Sequence, residues 1–220
     1  MKKLLYITVN SKPEEISTSR KVGREFVTRF MSKNSDYELK ELDLYKEYIP
    51  EINYKMIKSR AELVEGNEYD SLSSEDKKAV DRVNDLCDEF IEADTYVIAA
   101  PMWSLSFPSP LKRYFDCIIQ NNRVIKIGTD KVTGLLDDKE RNMVYIQSSG
   151  GDYPMIFSGK FNHGVNYCKE IFTFLGIDRF EKLMVEGVDV PEIGRDKAIE
   201  KAYESMDKLI DRISRQIMMV

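Results

Sequence analysis

The chain has 220 residues, 42% hydrophobic and 32% charged, with a formal net charge of -5. That is enough apolar surface for a full core without a disulfide or metal staple, and the acidic balance argues against nucleic acid, which wants a clustered basic face. No stretch approaches the ~20 apolar residues of a membrane span, and Cys87, Cys117 and Cys168 lack any C-x-x-C or histidine pattern, as expected of buried free thiols in a cytoplasmic protein.

The opening MKKLLYITVN has too short an apolar run for a signal segment and no small-residue cleavage site; KLLYITV reads as a strand. TSRKVGREFVTRFM follows with Val22, Phe26, Val27 and Phe30 at helical spacing. YELKELDL reads as a second strand, with Leu39, Leu42 and Leu44 imperfectly in phase. Residues 46–74 are irregular and acidic, and EINYKMIKSRAELV within them could hold a short helix. Ser73 with Asp76 three residues on makes a capping-box-like start for a helix whose stripe runs from Ala79 to Ile91.

TYVIAA is a near-continuous apolar run, as expected for a strand covered on both faces. After a bend, SPLKRYFDCIIQ is a helix with Pro110 in its first turn. Residues 122–139 read as a loop or small hairpin, and NMVYIQSSGG as strand then turn. GKFNHGVNYCKEIFTFLGI is a helix ended by Gly176, FEKLMVEGV a last strand, and PEIGRDKAIEKAYESMDKLIDRISRQI a last helix, with Ala198, Ala202, Met206, Leu209, Ile213 and Ile217 on one face. Alternating strands and helices imply one α/β domain over 1–220, its parallel sheet covered on both faces.

In such sheets ligands sit at the carboxyl ends of the strands, at the topological switch point. Three strand ends carry unusual residues. The first has no G-x-G-x-x-G and no phosphate loop of the G-x-x-x-x-G-K type; it has Ser11 and then Ser17, Thr18 and Ser19 opening a helix. Those hydroxyls beside unpaired helix amides suit a phosphate, or one of them simply caps the helix.

The second end is APMWSLSFPSPLK, in which Pro101 stops the strand ladder and Met102, Trp103, Ser104 and Leu105 suit a planar heterocycle. Trp103 could equally fill a gap under residues 46–74. The third end has Ser148 and Ser149 before Gly150 and Gly151. These glycines open conformations closed to other residues and let the backbone approach a ligand, or they make an ordinary turn. His163 alone cannot build a histidine-rich metal site, and we assign no metal ligand.

The APMW and SPLKRYFD segments resemble the APMYNF and LKNYFD segments of the FMN-dependent NADH-azoreductases, which are flavodoxin-like quinone and azo reductases. The serine run, SSGG and VTGLL fall where that family has its phosphate loop, its S-x-GG loop and its xxGLL. The resemblance runs from the first strand to the last helix. It implies a three-layer fold around a parallel five-stranded sheet and tightly bound FMN. Ser11, Ser17, Thr18 and Ser19 would hold the phosphate. Met102, Trp103, Ser104 and Leu105 would line the isoalloxazine, and Ser148, Ser149, Gly150 and Gly151 would approach it from the neighbouring loop. Ser104 and Leu105 stand where the family frequently has Asn-Phe, and Tyr153 where many members have histidine.

The implied reaction is two-electron reduction of a quinone or azo compound by NADH or NADPH in ping-pong order, with the cofactor carrying the chemistry and no catalytic side chain required. The resemblance also implies a homodimer whose pockets are shared between subunits. Residues 46–74 and 122–139 are the expected roof, both flanking the carboxyl ends of the strands. A flavodoxin-type electron carrier without substrate turnover is the alternative. Against it stands a first loop that is long and free of glycine. A cofactor-free interaction domain would leave three ligand-like loops unexplained.

Overall fold

The computed structural model describes residues 1–153 and 161–215. Its centre is a sheet of five parallel strands: β1 (Lys2–Thr8), β2 (Tyr37–Asp43), β5 (Thr95–Pro101), β8 (Asn142–Ser148) and β9 (Arg179–Val185). They lie in the order β2-β1-β5-β8-β9. Helices α1 (Thr18–Lys33) and α6 (Gly194–Arg215) cover one face; α3 (Ser74–Glu92), α4 (Ser109–Ile118) and α5 (His163–Leu175) cover the other.

The strand sequences explain the layering. In β5, Tyr96, Ile98 and Ala100 join the core under α3, α4 and α5, while Val97 and Ala99 join the core under α1 and α6. Both faces are dry, so the central strands read as apolar runs rather than as alternations. Edge strand β2 buries Leu42 but leaves Leu39 half-buried, which is why its sequence pattern looked out of phase. Gly23 lets α1 lie close on the sheet: a Cβ there would stand 2.5 Å from the Tyr6 hydroxyl and 2.8 Å from the Ala99 Cβ.

Most expected elements are present. Ser73 caps α3, its hydroxyl accepting from the Asp76 amide at 3.1 Å. Pro110 sits in the first turn of α4, and Gly176 ends α5 in the left-handed region at φ 101°. The last helix starts at Gly194 and buries Ala198, Ala202, Met206, Leu209 and Ile213. Ile217, and Gly159 and Lys160 at the expected start of α5, lie outside the described residues. Cys87, Cys117 and Cys168 are buried free thiols, the first two pushed up to about 12 by desolvation, so none is a ready nucleophile. No helix among the described residues is long and apolar enough to cross a membrane.

Two expectations about the insertions need correction. The segment 51–64 is not a helix: it makes a 3₁₀ turn at Tyr54–Met56 and the antiparallel pair β3 (Ile57–Ser59) and β4 (Glu62–Leu63), followed by the short α2 (Gly66–Asp70). Ile57 pairs with Leu63 and Ser59 with Glu62 across the turn, and this pairing overrides the helical spacing. The second correction concerns 122–139, which forms β6 (Ile125–Ile127) and β7 (Val132–Gly134). The base of this hairpin packs at the amino ends of the strands, because α4 runs back antiparallel to the sheet and delivers the chain there. The Leu136 amide bonds the Leu175 carbonyl at 2.9 Å, and Arg141 bonds the Ile91 and Ala93 carbonyls beside the start of β5. Within one subunit this segment therefore does not roof the carboxyl ends.

Candidate functional site

The chain turns left from β1 to β2 and then crosses to β5 on the other side, so the switch point lies between the carboxyl ends of β1 and β5. Thr8 stands opposite Ala99, and Pro101 opposite Ser148. The three candidate loops thus leave three adjacent strands at one end of the sheet. Sequence separation hid this, and strand order creates it.

The first loop is built around a residue the sequence reading passed over. Asn10, 5% exposed at the end of β1, donates its amide to the Ser17 hydroxyl at 2.8 Å and lies 3.5 Å from that of Ser19. Its side-chain carbonyl accepts from the Lys12 amide at 3.0 Å. Ser17 caps α1, accepting also from the Arg20 amide at 3.3 Å. With two donors aimed at the Ser17 oxygen, its own proton can donate to the Ser19 hydroxyl 3.4 Å away or turn to a ligand. Capping and anion binding, which the sequence left as alternatives, are therefore compatible in one hydroxyl. Ser17, Thr18 and Ser19 are all buried, whereas Ser11 is exposed.

Beneath this loop lies a guanidinium. Arg20 donates to the Asn10 carbonyl at 3.1 Å and pairs with Asp43 of β2 at 2.9 Å. The pair ties β1, β2 and the start of α1 together with little access to water. The first turn of α1 carries no acidic side chain, so its unpaired amides face an anion without competition.

The second loop is a two-residue hairpin. Trp103 and Ser106 exchange backbone bonds of 3.0 and 2.8 Å around Ser104 and Leu105, whose φ values are 48° and 62°. Two successive left-handed residues make a type I′ turn, a shape that favours Asn-Gly. A leucine held there is strained by about 1–2 kcal/mol. The bend is anchored by the Met102 amide on the Ser148 carbonyl at 2.7 Å and by the His163 amide, opening α5, on the Leu105 carbonyl at 2.9 Å. Trp103 is 47% exposed and Leu105 36%, so Trp103 is not core filler under residues 46–74.

The third loop corrects an expectation. Neither Gly150 nor Gly151 has a positive φ; Gly187 in the facing loop does, at 77°. The crowding at 150 is with a side chain instead: a Cβ there would meet the Asp189 carboxylate at 2.3 Å unless that side chain turned away. Asp189 lies in the loop after β9, which bonds 149–151 through the Gly187, Val188 and Asp189 amides at 2.9–3.1 Å. Ser148 and Ser149 are buried, and the Ser149 hydroxyl donates to the Gly151 carbonyl at 3.0 Å.

Among the described residues, the amides of Ser104, Leu105, Gly150 and Gly151 make no hydrogen bond within the chain. These loop-tip donors, the half-exposed indole and the hydroxyl loop are candidates to receive a flat polar-edged ring and an anionic tail. A cavity of about 660 Å³ beside α4, bounded by Pro50, Leu63, Lys112 and Gln120, contains none of the candidate residues.

Comparison with known proteins agrees. The family model described as "Flavodoxin-like fold" matches residues 2–210. The chain is 57% identical over 213 residues to "FMN-dependent NADH:quinone oxidoreductase 1" of Clostridium acetobutylicum, covering 97% of this chain and 96% of that protein. It is 50% identical to "FMN-dependent NADH:quinone oxidoreductase" of Clostridium botulinum, covering 97% of this chain and all of that one. Among solved structures, an FMN-dependent NADH-azoreductase from Bacillus anthracis in complex with FMN is 26% identical, with a TM-score of 0.83 over 96% of this chain and 99% of that one. This chain belongs to the flavodoxin-like family of FMN-dependent NADH:quinone oxidoreductases and azoreductases.

Proposed function

We propose that the chain is an FMN-dependent oxidoreductase that uses NADH to reduce quinones and azo compounds. The observation that carries this reading is the convergence, at the switch point, of unspent loop-tip amides with a buried hydroxyl cluster. FMN, when bound, supplies the acceptance and delivery of two electrons and a proton; the chain supplies position and electrostatics.

Ser17, Thr18 and Ser19, with the first amides of α1, hold the phosphate. The Ser104, Leu105, Gly150 and Gly151 amides would hold the polar edge of the ring as fixed donors, the arrangement of an oxyanion hole. Trp103 and Met102 wall the ring and exclude water. Ser148 and Ser149 fix the third loop from within, and Ser11 reaches the phosphate only if its exposed loop folds inward. No side chain is assigned as an acid or base. Two copies of the chain pair, and the partner covers the side of the bend on which Trp103 and Leu105 now face solvent; their exposure supports this. The whole chain works as one domain.

The test is anaerobic. FMN-loaded protein mixed with NADH should lose its flavin colour and regain it on addition of a quinone. A yellow protein that NADH leaves unbleached would overturn the reading in favour of an electron carrier. Sedimentation of the loaded protein should give a dimer, and a fully active monomer would remove the partner wall.

A further inference from the structure

The guanidinium of Arg195, in the first turn of α6, crosses to the hydroxyl loop from a position 177 residues away in the chain. Its Nε donates to the Thr18 hydroxyl at 3.2 Å and Nη2 donates to the Glu15 carbonyl at 3.0 Å. Unlike Arg20, Arg24 and Arg29 on α1, each of which meets a carboxylate within 3.2 Å, Arg195 forms no ion pair among the described residues. Nη1 has no protein partner there. A cation in the first turn of a helix also sits against the macrodipole, so local helix energetics do not explain its placement.

We propose that Arg195 is a ligand of the flavin phosphate and sets the preference of the site for FMN over its unphosphorylated analogue. This deepens, and rests on, the assignment of the 10–19 loop to the phosphate. The two guanidiniums beside that loop divide the work. The charge of Arg20 is spent on Asp43 and holds the scaffold. The charge of Arg195 is uncompensated and meets the phosphate dianion, for which a guanidinium with a free fork face is suited. Its bond to Thr18 has a second effect. The Thr18 oxygen accepts from Arg195, so the Thr18 proton is free to donate to the same anion.

Arg195 could instead be a clasp, holding the loop to α6 without touching the ligand. Charge separates the two roles. Arg195→Gln keeps an amide able to bond Thr18 but removes the charge; Arg195→Lys restores the charge without the fork.

The experiment titrates the flavin-free full chain with FMN and with riboflavin, reading each dissociation constant by quenching of flavin fluorescence at low and high salt. For the unaltered chain the preference for FMN should be large and fall with salt, as an exposed ionic contact is screened. Arg195→Gln should lower that preference about tenfold or more, one lost charge-assisted contact being worth about one decade, with riboflavin affinity unchanged and the salt dependence reduced. Arg195→Lys should recover part of the preference.

If Arg195→Gln keeps the full preference and its salt dependence, the proposal is wrong. If it weakens FMN and riboflavin equally and lysine rescues nothing, Arg195 is a clasp and the proposal is again overturned. A different failure is visible in the unaltered chain alone: equal affinity for FMN and riboflavin would remove the phosphate from the 10–19 loop altogether.

Discussion

Between Asn10 and Ser19 the site is held by side chains packed out of water; between Met102 and Ser106 it is held by backbone bonds with its side chains in water. The first loop joins its polar groups to one another through Asn10, Ser17, Ser19 and Arg20. The second holds a leucine in the left-handed region and leaves two amides without a partner among the described residues. One region is pre-organised by burial and the other by strain. The difference suits the two ends of the expected ligand. A phosphate needs several donors at fixed places, and a ring edge needs a few amides beside a surface that its substrates can reach.

The largest break in this contrast should come from Arg20. Arg20→Ala leaves Asp43 charged with only the longer contact to Lys46 at 3.8 Å and the Tyr45 amide, and we expect a loss of about 3 kcal/mol by urea unfolding. The double variant Arg20→Met, Asp43→Leu should recover much of it. A single-variant loss within the range of a surface pair, below about 1 kcal/mol, would show that the pair does not brace the loop.

Gly23→Ala comes next. Its Cβ would press on Tyr6 and Ala99, and overpacking of this kind costs about 1–3 kcal/mol. Because α1 must then shift on the sheet and carry Ser17 to Ser19 with it, FMN affinity should fall in parallel. A stability loss with unchanged FMN affinity would uncouple the helix from the loop it begins.

Asn10→Ala removes the donor that orients Ser17 and Ser19 while leaving the bend untouched. FMN affinity should fall about tenfold, or ~1.4 kcal/mol, in fluorescence titration. An unchanged affinity would mean that the serines are aimed by the helix alone.

Leu105→Gly probes the other region, and its effect should be smaller and of opposite sign. Relief of left-handed strain outweighs the added flexibility of glycine, so the thermal midpoint should rise by an amount worth up to about 1 kcal/mol. A lower midpoint would show that the turn is not strained.

Acid should separate the regions last and least. The Arg24 guanidinium hydrogen-bonded to Glu41 holds that carboxyl below the usual carboxylate range. A depressed folded value contributes stability above the unfolded value of about 4.3, and that contribution is lost as pH falls through the folded one. Hydrogen-exchange protection at 18–24, taken relative to the intrinsic exchange rate at each pH, should therefore fall on acidification before protection at 102–106 does.

Much of this was legible because it is local. The strands are apolar runs bounded by breakers, Ser73 and Asp76 announce the start of α3, and Gly176 announces the end of α5. The three candidate loops could be located from residue types alone, since each follows a strand. What a loop residue does was less legible. Asn10 looked like an ordinary polar residue at a strand end, although its place beside Ser11 was a signal open to reading. The double glycine was read as conformational freedom, whereas Gly150 makes room for Asp189 from another strand's loop. Residues 51–64 were read for helical spacing, but the hairpin they form is decided by pairing across a turn.

By itself the sequence determined the alternation of elements, both apolar faces of the sheet and the hydroxyl, aromatic and glycine character of three strand ends, because periodicity, capping and turn chemistry act over a few residues. Only the tertiary structure decided that those ends are neighbours, that the base of the 122–139 hairpin packs at the amino ends of the strands, and that Asp43 meets Arg20 while Arg195 bonds the Thr18 hydroxyl. Those are consequences of strand order and helix direction, which join residues too far apart in the chain for any local rule to couple.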